Sequence, residues 1–432
     1  MLFGTAKEII TPQRPIALAC VGGGTSPADS VHDDVYVRTL VLEEGGNKVA
    51  FMSFDLLFHD RSLNDPLEAY AQSTYGIQPG GLMITHTHAH TAPATSGYNW
   101  CVFPDYEVFL LERAKVCLDR AMASLIPGTL ECGCFEADYN ISRRGKVNGV
   151  YTIAPNFDYV HDREFMLLCV RDQAGTLRSV MMNYPCHPVF YPTQDELSGE
   201  FPARVCHYID AHYYGCMSLY TQSSAGDVRP RPTAQPTEDG SYAFESMDFA
   251  AVDAFAADMS RGVTAFIDGQ GCHKIEMSAL PGCCAFTVDL PMDPAPFSYF
   301  EEMAKVFENT EPGIFKNNTQ YIINGGYEEM PHSLTLHCQI IRLSEDYYIA
   351  TVGGEPCYGV KQAIVSAFGG KPVMFIGYTD ACAYLVDDVL LEEGGYEPEA
   401  YLEYRLIGPL KKGVTALYTQ AFAQALKTLP GK

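Results

Sequence analysis

A run of alternating histidines is the part of this sequence best suited to chemistry. His86, His88 and His90 stand at every second position, directly after the apolar stretch Gly80-Gly81-Leu82-Met83-Ile84. If this stretch is a β-strand, alternate side chains share one face, so the three imidazoles would point the same way. Pro93 cannot continue a strand ladder, which places the histidines where the strand opens into a loop. Because neutral imidazole is the commonest metal ligand, the pattern predicts a zinc or proton-transfer site rather than three unrelated surface histidines.

Three further apolar runs are followed by side chains that can bind a metal. These runs and the residues after them are 180–184 before His187, 347–352 before Glu355, and 372–377 before Tyr384. Each of these residues alone is more typical of an ordinary polar loop. Because ligand sites of α/β folds lie where strands end at one edge of a sheet, the four strand ends together indicate one shared site.

Strands and helices alternate along the chain and must position these residues. Apolar runs joined by turn sequences predict hairpins at 36–42 with 49–55, 165–170 with 180–184, and 334–343 with 347–352, and a strand is predicted at 129–139. Helical periodicity predicts helices over 61–75, 105–125, 200–214, 249–267, 297–308 and 407–428. Residues 140–145 are predicted to form a loop, and residues 229–241 an exposed excursion. The expected architecture is α/β, a single large domain with mixed β-sheets flanked by helices and a site at one sheet edge.

The composition of the chain limits the classes of partner that we expect. The net charge of -24 argues against nucleic acid, which requires a basic surface, and against electrostatic docking on anionic membranes. No run of about 18 apolar residues occurs, so no transmembrane helix is expected. The first residues lack the pattern of a secretion signal, and the 15 cysteines show no paired framework. We therefore expect a reduced, cytoplasmic protein that acts on a small molecule.

Six motifs, taken in order, resemble those of the neutral/alkaline (non-lysosomal) ceramidase family. They are the histidine strand, Asn140-x-x-Arg143, His187-Pro188, Gly226-Asp227-Val228-x-Pro230, Gly354-Glu355, and the late pair Tyr384 and Tyr396. The resemblance covers nearly the whole chain. It implies a ceramidase-like catalytic domain over residues 1–432, with no counterpart of the C-terminal immunoglobulin-like domain of longer members.

The resemblance also implies a zinc site. In the register that preserves Thr91-Ala92-Pro93, His88 falls on a zinc ligand and His90 on its catalytic neighbour, while His86 is extra. A register two residues earlier would use His86 and His88, but it leaves the proline unmatched. The other implied zinc ligands are His187, Glu355 and Tyr384. The implied active-site residues are Tyr396, which contacts the reacting carbonyl, and Arg143, and we add His86, Asp227 and Arg231 as candidates for substrate binding.

One position departs from the family pattern. The ceramidase loop reads Gly-Asp-Val-Ser-Pro-Asn, and its serine is assigned to amide cleavage, whereas this chain has Arg229 at the serine position. A guanidinium is not a nucleophile and stays charged at any ordinary pH. Ser223 and Ser224 lie nearby, but nothing in the sequence gives either one the missing role. Cleavage of ceramide by the family's usual arrangement is therefore not expected.

The implied zinc site still supports hydrolysis by metal-activated water. Arg229, Arg231, Arg143 and Arg144 would place positive charge at the site, so we expect a polar or anionic N-acyl substrate and an amidase activity. Pairing of Arg229 and Arg231 with surface carboxylates is the alternative for those two residues. A zinc hydrolase of an ester or glycosidic bond, and a non-catalytic binding protein that kept the metal, remain open as functions. One catalytic zinc is expected, and a second ion, Mg or Ca, is left open.

Overall fold

The structure is a computed structural model and describes residues 1–19, 27–28, 30–95, 103–192, 195–277, 282–310, 313–380 and 383–429. Its strands are β1 (Leu2–Ile9), β2 (Ser30–Val31), β3 (Tyr36–Glu44), β4 (Asn47–Phe54), β5 (Leu82–His86), β6 (Ile126–Glu136), β7 (Asn140–Val147), β8 (Val150–Asn156), β9 (Glu164–Asp172), β10 (Leu177–Tyr184), β11 (Glu196–Leu197), β12 (Met217–Gln222), β13 (Val228–Pro230), β14 (Ala234–Pro236), β15 (Tyr242–Phe244), β16 (His273–Ile275), β17 (Gly282–Pro291), β18 (Ser333–Arg342), β19 (Tyr348–Val352), β20 (Glu355–Pro356), β21 (Val373–Ile376) and β22 (Tyr384–Leu385). Its helices are α1 (Arg61–Tyr75), α2 (Pro104–Ala123), α3 (Glu200–His212), α4 (Phe249–Asp268), α5 (Phe297–Phe307), α6 (Ile314–Ile323), α7 (Tyr358–Ser366), α8 (Asp388–Glu393), α9 (Tyr396–Glu399) and α10 (Val414–Thr428).

A large mixed sheet bends back on itself. Within the described residues it has nine strands in the order β12-β10-β9-β6-β1-β3-β4-β5, with β16 beside β6. Its two ends meet, because the Ser53 hydroxyl on β4 donates to the Tyr220 carbonyl on β12 at 2.6 Å. The Gln222 side chain at the end of β12 likewise donates to the Thr87 carbonyl after β5 at 2.9 Å. The bend brings the ends of β5, β10 and β12 to one place, and the candidate site lies there.

A second sheet of four strands, β17-β18-β19-β21, packs against the first. A common apolar core lies between them and includes Phe51 and Leu168 from the large sheet and Ile341 and Ile349 from the small one. Helices α1 and α2 cover one region of the large sheet and α3 and α4 another, whereas α5, α6, α7 and α10 cover the small sheet. The predicted class, mixed sheets flanked by helices, is confirmed.

Among the described residues, no helix combines the length and the apolar character that crossing a membrane requires.

Several predicted elements need correction. Residues 140–145 form part of strand β7, not a loop, and pair with β8 and β13. Helix α10 begins at Val414 and not near 407, because Gly413 before it has φ of 106°, outside the helical region. The excursion at 229–241 contains the short strands β13 and β14. Helices α6, α7, α8 and α9 were not predicted.

Candidate metal centre and active site

Two strand ends of the large sheet bring three imidazoles together. His88 and His90 follow β5, and His187 follows β10. The Nε2 atom of His187 lies 3.1 Å from Nε2 of His88 and 3.0 Å from Nε2 of His90. Burial lowers the pKa of both His90 and His187 well below the ordinary value, so these rings are neutral and able to bind a metal. Among the described residues, these three histidines form the group that could hold a metal ion.

Hydrogen bonds at Nδ1 of His88 and of His187 determine which ring nitrogen carries the hydrogen. His88 Nδ1 lies 3.1 Å from the Leu57 carbonyl, and His187 Nδ1 lies 3.2 Å from the Ala225 carbonyl. Because a carbonyl oxygen only accepts, both Nδ1 atoms carry hydrogen, which leaves the two Nε2 atoms for a metal. A hydrogen bond from the other ring nitrogen to a carbonyl oxygen is typical of metal-binding histidines.

Glu355 completes the donor set. Its Oε2 atom lies 3.2 Å from His88 Nε2 and 3.8 Å from His187 Nε2, and it has no hydrogen-bond donor among the described residues. Burial alone would raise the pKa of Glu355, but His88 and the Tyr404 hydroxyl, which donates to Oε1, lower it below the ordinary value. Donor atoms that bind one zinc tetrahedrally at about 2.0–2.2 Å lie roughly 3.4 Å apart, which agrees with the spacing of these three atoms. The residues present therefore fit a zinc ion.

Tyr384 and Tyr396 lie beside this group. The parallel pair β20 and β22 sets Glu355 opposite Tyr384. The Tyr384 ring lies 5.5 Å from the Tyr396 ring, and the guanidinium of Arg143 lies 5.1 Å from the Tyr384 ring centre. The Tyr396 hydroxyl donates to Glu403 at 2.6 Å. The late tyrosine pair is thus gathered with Arg143 on the Glu355 side of the site.

Two of the four predicted arginines are neutralised within the protein. Arg143 Nε donates to Glu397 at 2.8 Å, and Arg144 Nη1 donates to the other Glu397 oxygen at 2.5 Å. Arg144 also bonds Glu393 at 3.1 Å. Burial would lower the pKa of Arg143, but Tyr384 and Glu397 raise it well above the ordinary value. The expectation that both would add free positive charge to the site is wrong, because Glu397 lies between them.

Arg229 and Arg231 differ in their burial and in their charge partners. Arg229 is half-buried with its guanidinium 4.9 Å from the Phe244 ring centre, and none of the described carboxylates forms an ion pair with it. Burial, together with repulsion from Arg143, lowers the pKa of Arg229. Arg231 lies 3.6 Å from Asp138, with 47% of its side chain exposed. Surface pairing, the alternative for both arginines, therefore describes Arg231 but not Arg229.

His86 does not join the histidine cluster formed by His88, His90 and His187. Strand β5 ends at His86, and His88 adopts φ of 65°, so the alternation of faces stops there. The expectation that all three histidines point the same way is therefore wrong. His86 is fully buried, with Nδ1 2.9 Å from the Tyr378 carbonyl and its ring 5.7 Å from the ring of Phe54. The register that uses His88 and His90 is the one whose residues lie together.

The polar residues near Arg229, which stands at the family's serine position, are hydrogen-bonded within the protein. Both Ser223 and Ser224 donate to Asp162, at 3.1 and 2.8 Å. The Asp227 carboxylate accepts from the Tyr358 backbone at 3.2 Å, at the first residue of α7. Burial raises the pKa of Asp227 to about 7. The hydroxyls of Ser223 and Ser224 are thus bonded to Asp162. Asp227 binds the backbone at the start of α7.

Four residues at the site were not anticipated from the sequence. Glu397 holds the arginine pair, Tyr404 bonds Glu355, and the Tyr191 hydroxyl lies 3.4 Å from His90 Nδ1. Glu200 accepts from the backbone of the histidine loop, and its burial raises its pKa to about 8. Glu397 follows Tyr396 in a motif that was recognised, so it could have been found. The other three carry no local signal.

Comparison with known proteins tests the resemblance. The chain matches no protein-family model, and no curated protein matches it in sequence. Its structure superposes on the neutral ceramidase from Pseudomonas aeruginosa with a TM-score of 0.70 over 100% of this chain and 75% of that chain, at 18% identity. The chain has the fold of the neutral ceramidases. A ceramidase complexed with C2 is similar in the same way, with a TM-score of 0.71, 16% identity, and coverage of 99% of this chain and 75% of that chain.

The fold expected from the six sequence motifs is therefore confirmed. At 18% and 16% identity the similarity establishes the fold and leaves the activity to be argued from the site.

Proposed function

We propose that this protein is a zinc-dependent hydrolase that cleaves the amide bond of a polar or anionic N-acyl compound. The observation that carries the proposal is the buried group of His88, His187 and Glu355, whose ligand atoms lie 3.1 to 3.8 Å from one another. We assign Tyr384 as the fourth ligand because it pairs with Glu355 across two short strands. Two imidazoles, a carboxylate and a phenol oxygen suit zinc. The ceramidase fold supports an amide as the bond that is cleaved.

Zinc bound at this position would lower the pKa of a water molecule to about 7 and polarise the substrate carbonyl. The protein's own residues supply the remaining interactions. His90 is neutral, and if the Tyr191 hydroxyl donates to its Nδ1, its Nε2 carries the hydrogen and faces the cluster. We assign His90 as a donor to the oxyanion that develops on the substrate carbonyl, a role that contributes about 3 kcal/mol.

Tyr396 and Arg143 are assigned to the opposite side of the substrate. Tyr396 would act as a second donor to the carbonyl once its hydroxyl exchanges Glu403 for substrate. Arg143 lies 5.1 and 5.3 Å from the ring centres of Tyr384 and Tyr396, and with Glu397 it holds these rings in place. Burial raises the pKa of Tyr384 well above its ordinary value, and the Arg143 guanidinium opposes that rise.

Arg229 supports the choice of an anionic substrate. A half-buried guanidinium without a carboxylate partner has lost part of its hydration, and a substrate carboxylate or phosphate would replace it with two-pronged hydrogen bonds. The acidic surface of a chain of net charge -24 makes such a local positive group distinctive. The substrate class that fits is an acylated amino acid or amino sugar with a negative group near the amide.

Metal removal tests the proposal. The chain is stripped of metal with a chelator, then assayed with and without added zinc on matched N-acyl amino acids, neutral N-acyl amides, esters and glycosides. We expect amide hydrolysis only with zinc, and none in His187→Ala. His337→Ala is the matched control, because His337 lies on β18 outside the cluster.

The panel separates the alternatives. Hydrolysis of esters or glycosides but not amides would replace the amidase with the second function. Zinc binding with no turnover of any compound would indicate a binding protein, and undiminished hydrolysis by metal-free protein would contradict the proposal.

A further inference from the structure

Glu200 joins the two loops that carry the cluster histidines. Its Oε1 atom accepts hydrogen bonds from the backbone N–H groups of His90 and Thr91 at 3.0 and 3.3 Å. Its Oε2 atom accepts from the backbone N–H of Phe190 at 3.3 Å. His90 lies two residues after His88, and Phe190 three residues after His187. One carboxylate therefore bridges the loop after β5 and the loop after β10.

Glu200 is held in an unfavourable state. Its exposed fraction is 0%, and none of the described lysine, arginine or histidine side chains forms an ion pair with it. Its backbone φ is 50°, a region that residues other than glycine rarely adopt. It is the first residue of α3, yet its carboxylate accepts from His90, Thr91 and Phe190, which lie outside that helix. A residue needed only to start α3 would require neither the fully buried carboxyl group nor the strained backbone.

Hydrogen bonds of Ser198 and Gly199 fix the backbone around Glu200. The Ser198 hydroxyl accepts from the Glu200 backbone N–H at 2.9 Å and donates to Asp33 at 2.8 Å. The Gly199 backbone also donates to Asp33, at 3.0 Å. A Cβ atom at Gly199 would lie 2.5 Å from the Ala203 side chain, so this position requires glycine. The carboxylate is thus presented to both loops from a rigid base.

We propose that Glu200 is a positioning residue of the metal centre, which sets the distance between the His88–His90 loop and the His187 loop through three backbone hydrogen bonds. The inference rests on the proposed function in taking His88 and His187 as metal ligands. It does not depend on which bond the protein cleaves. Residues that orient metal ligands indirectly typically affect metal affinity about 10-fold or more.

Glu200→Gln tests the inference with little change of shape. An amide places an NH₂ group against backbone donors on one of the two loops, so that loop is pushed away. We expect the Kd for zinc, measured by competition with a chromogenic chelator, to rise about 10-fold. We also expect the absorption spectrum of bound cobalt to shift, because it reports ligand geometry. Glu200→Asp keeps two acceptors but shortens the reach, so a smaller change in both measurements is expected.

Asp248→Asn is the matched control. Asp248 precedes α4, and its carboxylate accepts from the Ala251 backbone at 2.9 Å, far along the chain from both histidine loops. Asp248 is exposed, so this exchange reports the effect of replacing a carboxylate acceptor at a backbone N–H outside the metal centre. The Kd for zinc and the cobalt spectrum of this control should equal those of the wild type.

The outcomes separate this inference from the proposed function. A folded Glu200→Gln protein with wild-type zinc affinity and cobalt spectrum would overturn the positioning role, and if that variant does not fold, the same two measurements on Glu200→Asp decide. A wild-type protein that binds zinc but hydrolyses no amide would defeat the proposed function, while the effect of Glu200 on zinc affinity would still stand. A wild-type protein that binds no metal would defeat both.

Discussion

Under the proposed function, Arg229 would set the preference for a substrate. Burial of a cation without a carboxylate is unfavourable, and here the Phe244 ring at 4.9 Å provides partial compensation. Nearby Arg143 already forms an ion pair with Glu397. An anionic ligand would therefore gain more from Arg229 than from any arginine that the protein has paired internally.

Arg229→Ser is expected to remove the preference for anionic substrates. The KM for an N-acyl amino acid should rise about 10- to 100-fold, since a hydrogen bond to a charged group contributes about 1.5–3 kcal/mol, while the KM for the neutral amide stays unchanged. Steady-state kinetics on the two substrates measures this. Arg231→Ser is the control, because Arg231 is 47% exposed and pairs with Asp138. Equal changes for both substrates would remove Arg229 from substrate recognition.

Asp227 is expected to make stability depend on pH. Burial, reinforced by Glu397, raises its pKa from 3.8 to about 7. The folded protein therefore holds this proton more tightly than the unfolded chain, and the stabilisation present below about pH 4 is lost as the pH rises through about 7. Asp227→Asn does not titrate, so its free energy of unfolding relative to wild type should increase by roughly 4 kcal/mol over that range. Urea unfolding at several pH values measures the difference, and parallel profiles would contradict it.

At the scale of elements, the segment from Ser223 to Arg229 is anchored by hydrogen bonds to Asp162. Asp162 accepts from both serines and from Lys361 Nζ at 2.8 Å, and Lys361 belongs to α7. On its other side the segment supplies the Ala225 carbonyl that orients His187. Gly226 fits because a Cβ there would lie 2.8 Å from the Glu355 carbonyl oxygen. The serines thus stabilise the segment.

Lys361→Met should destabilise the fold through this network. Removing the cation leaves the Asp162 carboxylate buried without its charge partner, which costs about 3–5 kcal/mol. Denaturant unfolding measures the loss, and the double variant with Asp162→Asn should recover part of it. Lys411→Met is the control, since its ion pair with Asp293 is 3.9 Å long and exposed and should contribute at most about 1 kcal/mol. Equal effects of Lys361→Met and Lys411→Met would refute the anchoring role.

At the scale of the whole molecule, the site joins both sheets. His88 and His187 follow strands of the large sheet, whereas Glu355 follows β19 of the small sheet. Neither sheet has the complete donor set. A bound metal would consequently oppose separation of the two sheets as well as local opening of any loop.

Zinc is therefore expected to stabilise the entire fold. At a free concentration of about 100 times Kd, binding to the native state alone adds about 2.7 kcal/mol to the free energy of unfolding. Thermal unfolding with and without zinc should show a higher Tm for the wild type, and a much smaller shift for His88→Ala. The His337→Ala control should keep the full shift. A Tm independent of zinc would contradict a metal centre shared by the two sheets.

The sequence by itself determined the periodic elements and the positions of several site residues. Apolar runs separated by short turn sequences predicted the hairpins of β3 with β4 and of β9 with β10, and the structure buries these strands along most of their length. The histidines stood out because their type and spacing are unusual. The order of the motifs pointed to the ceramidase fold, which the structural comparison confirms.

Only the tertiary structure decided which of these residues meet. A left-handed residue at His88 turns the chain, so His90 and not His86 reaches His187. Glu397 lies 254 positions from Arg143 and cancels its charge, while Arg229 is left without a carboxylate among the described residues. Backbone dihedrals at a single loop residue and ion pairs between distant segments leave no periodic pattern in a sequence, because they depend on how the sheets pack in three dimensions.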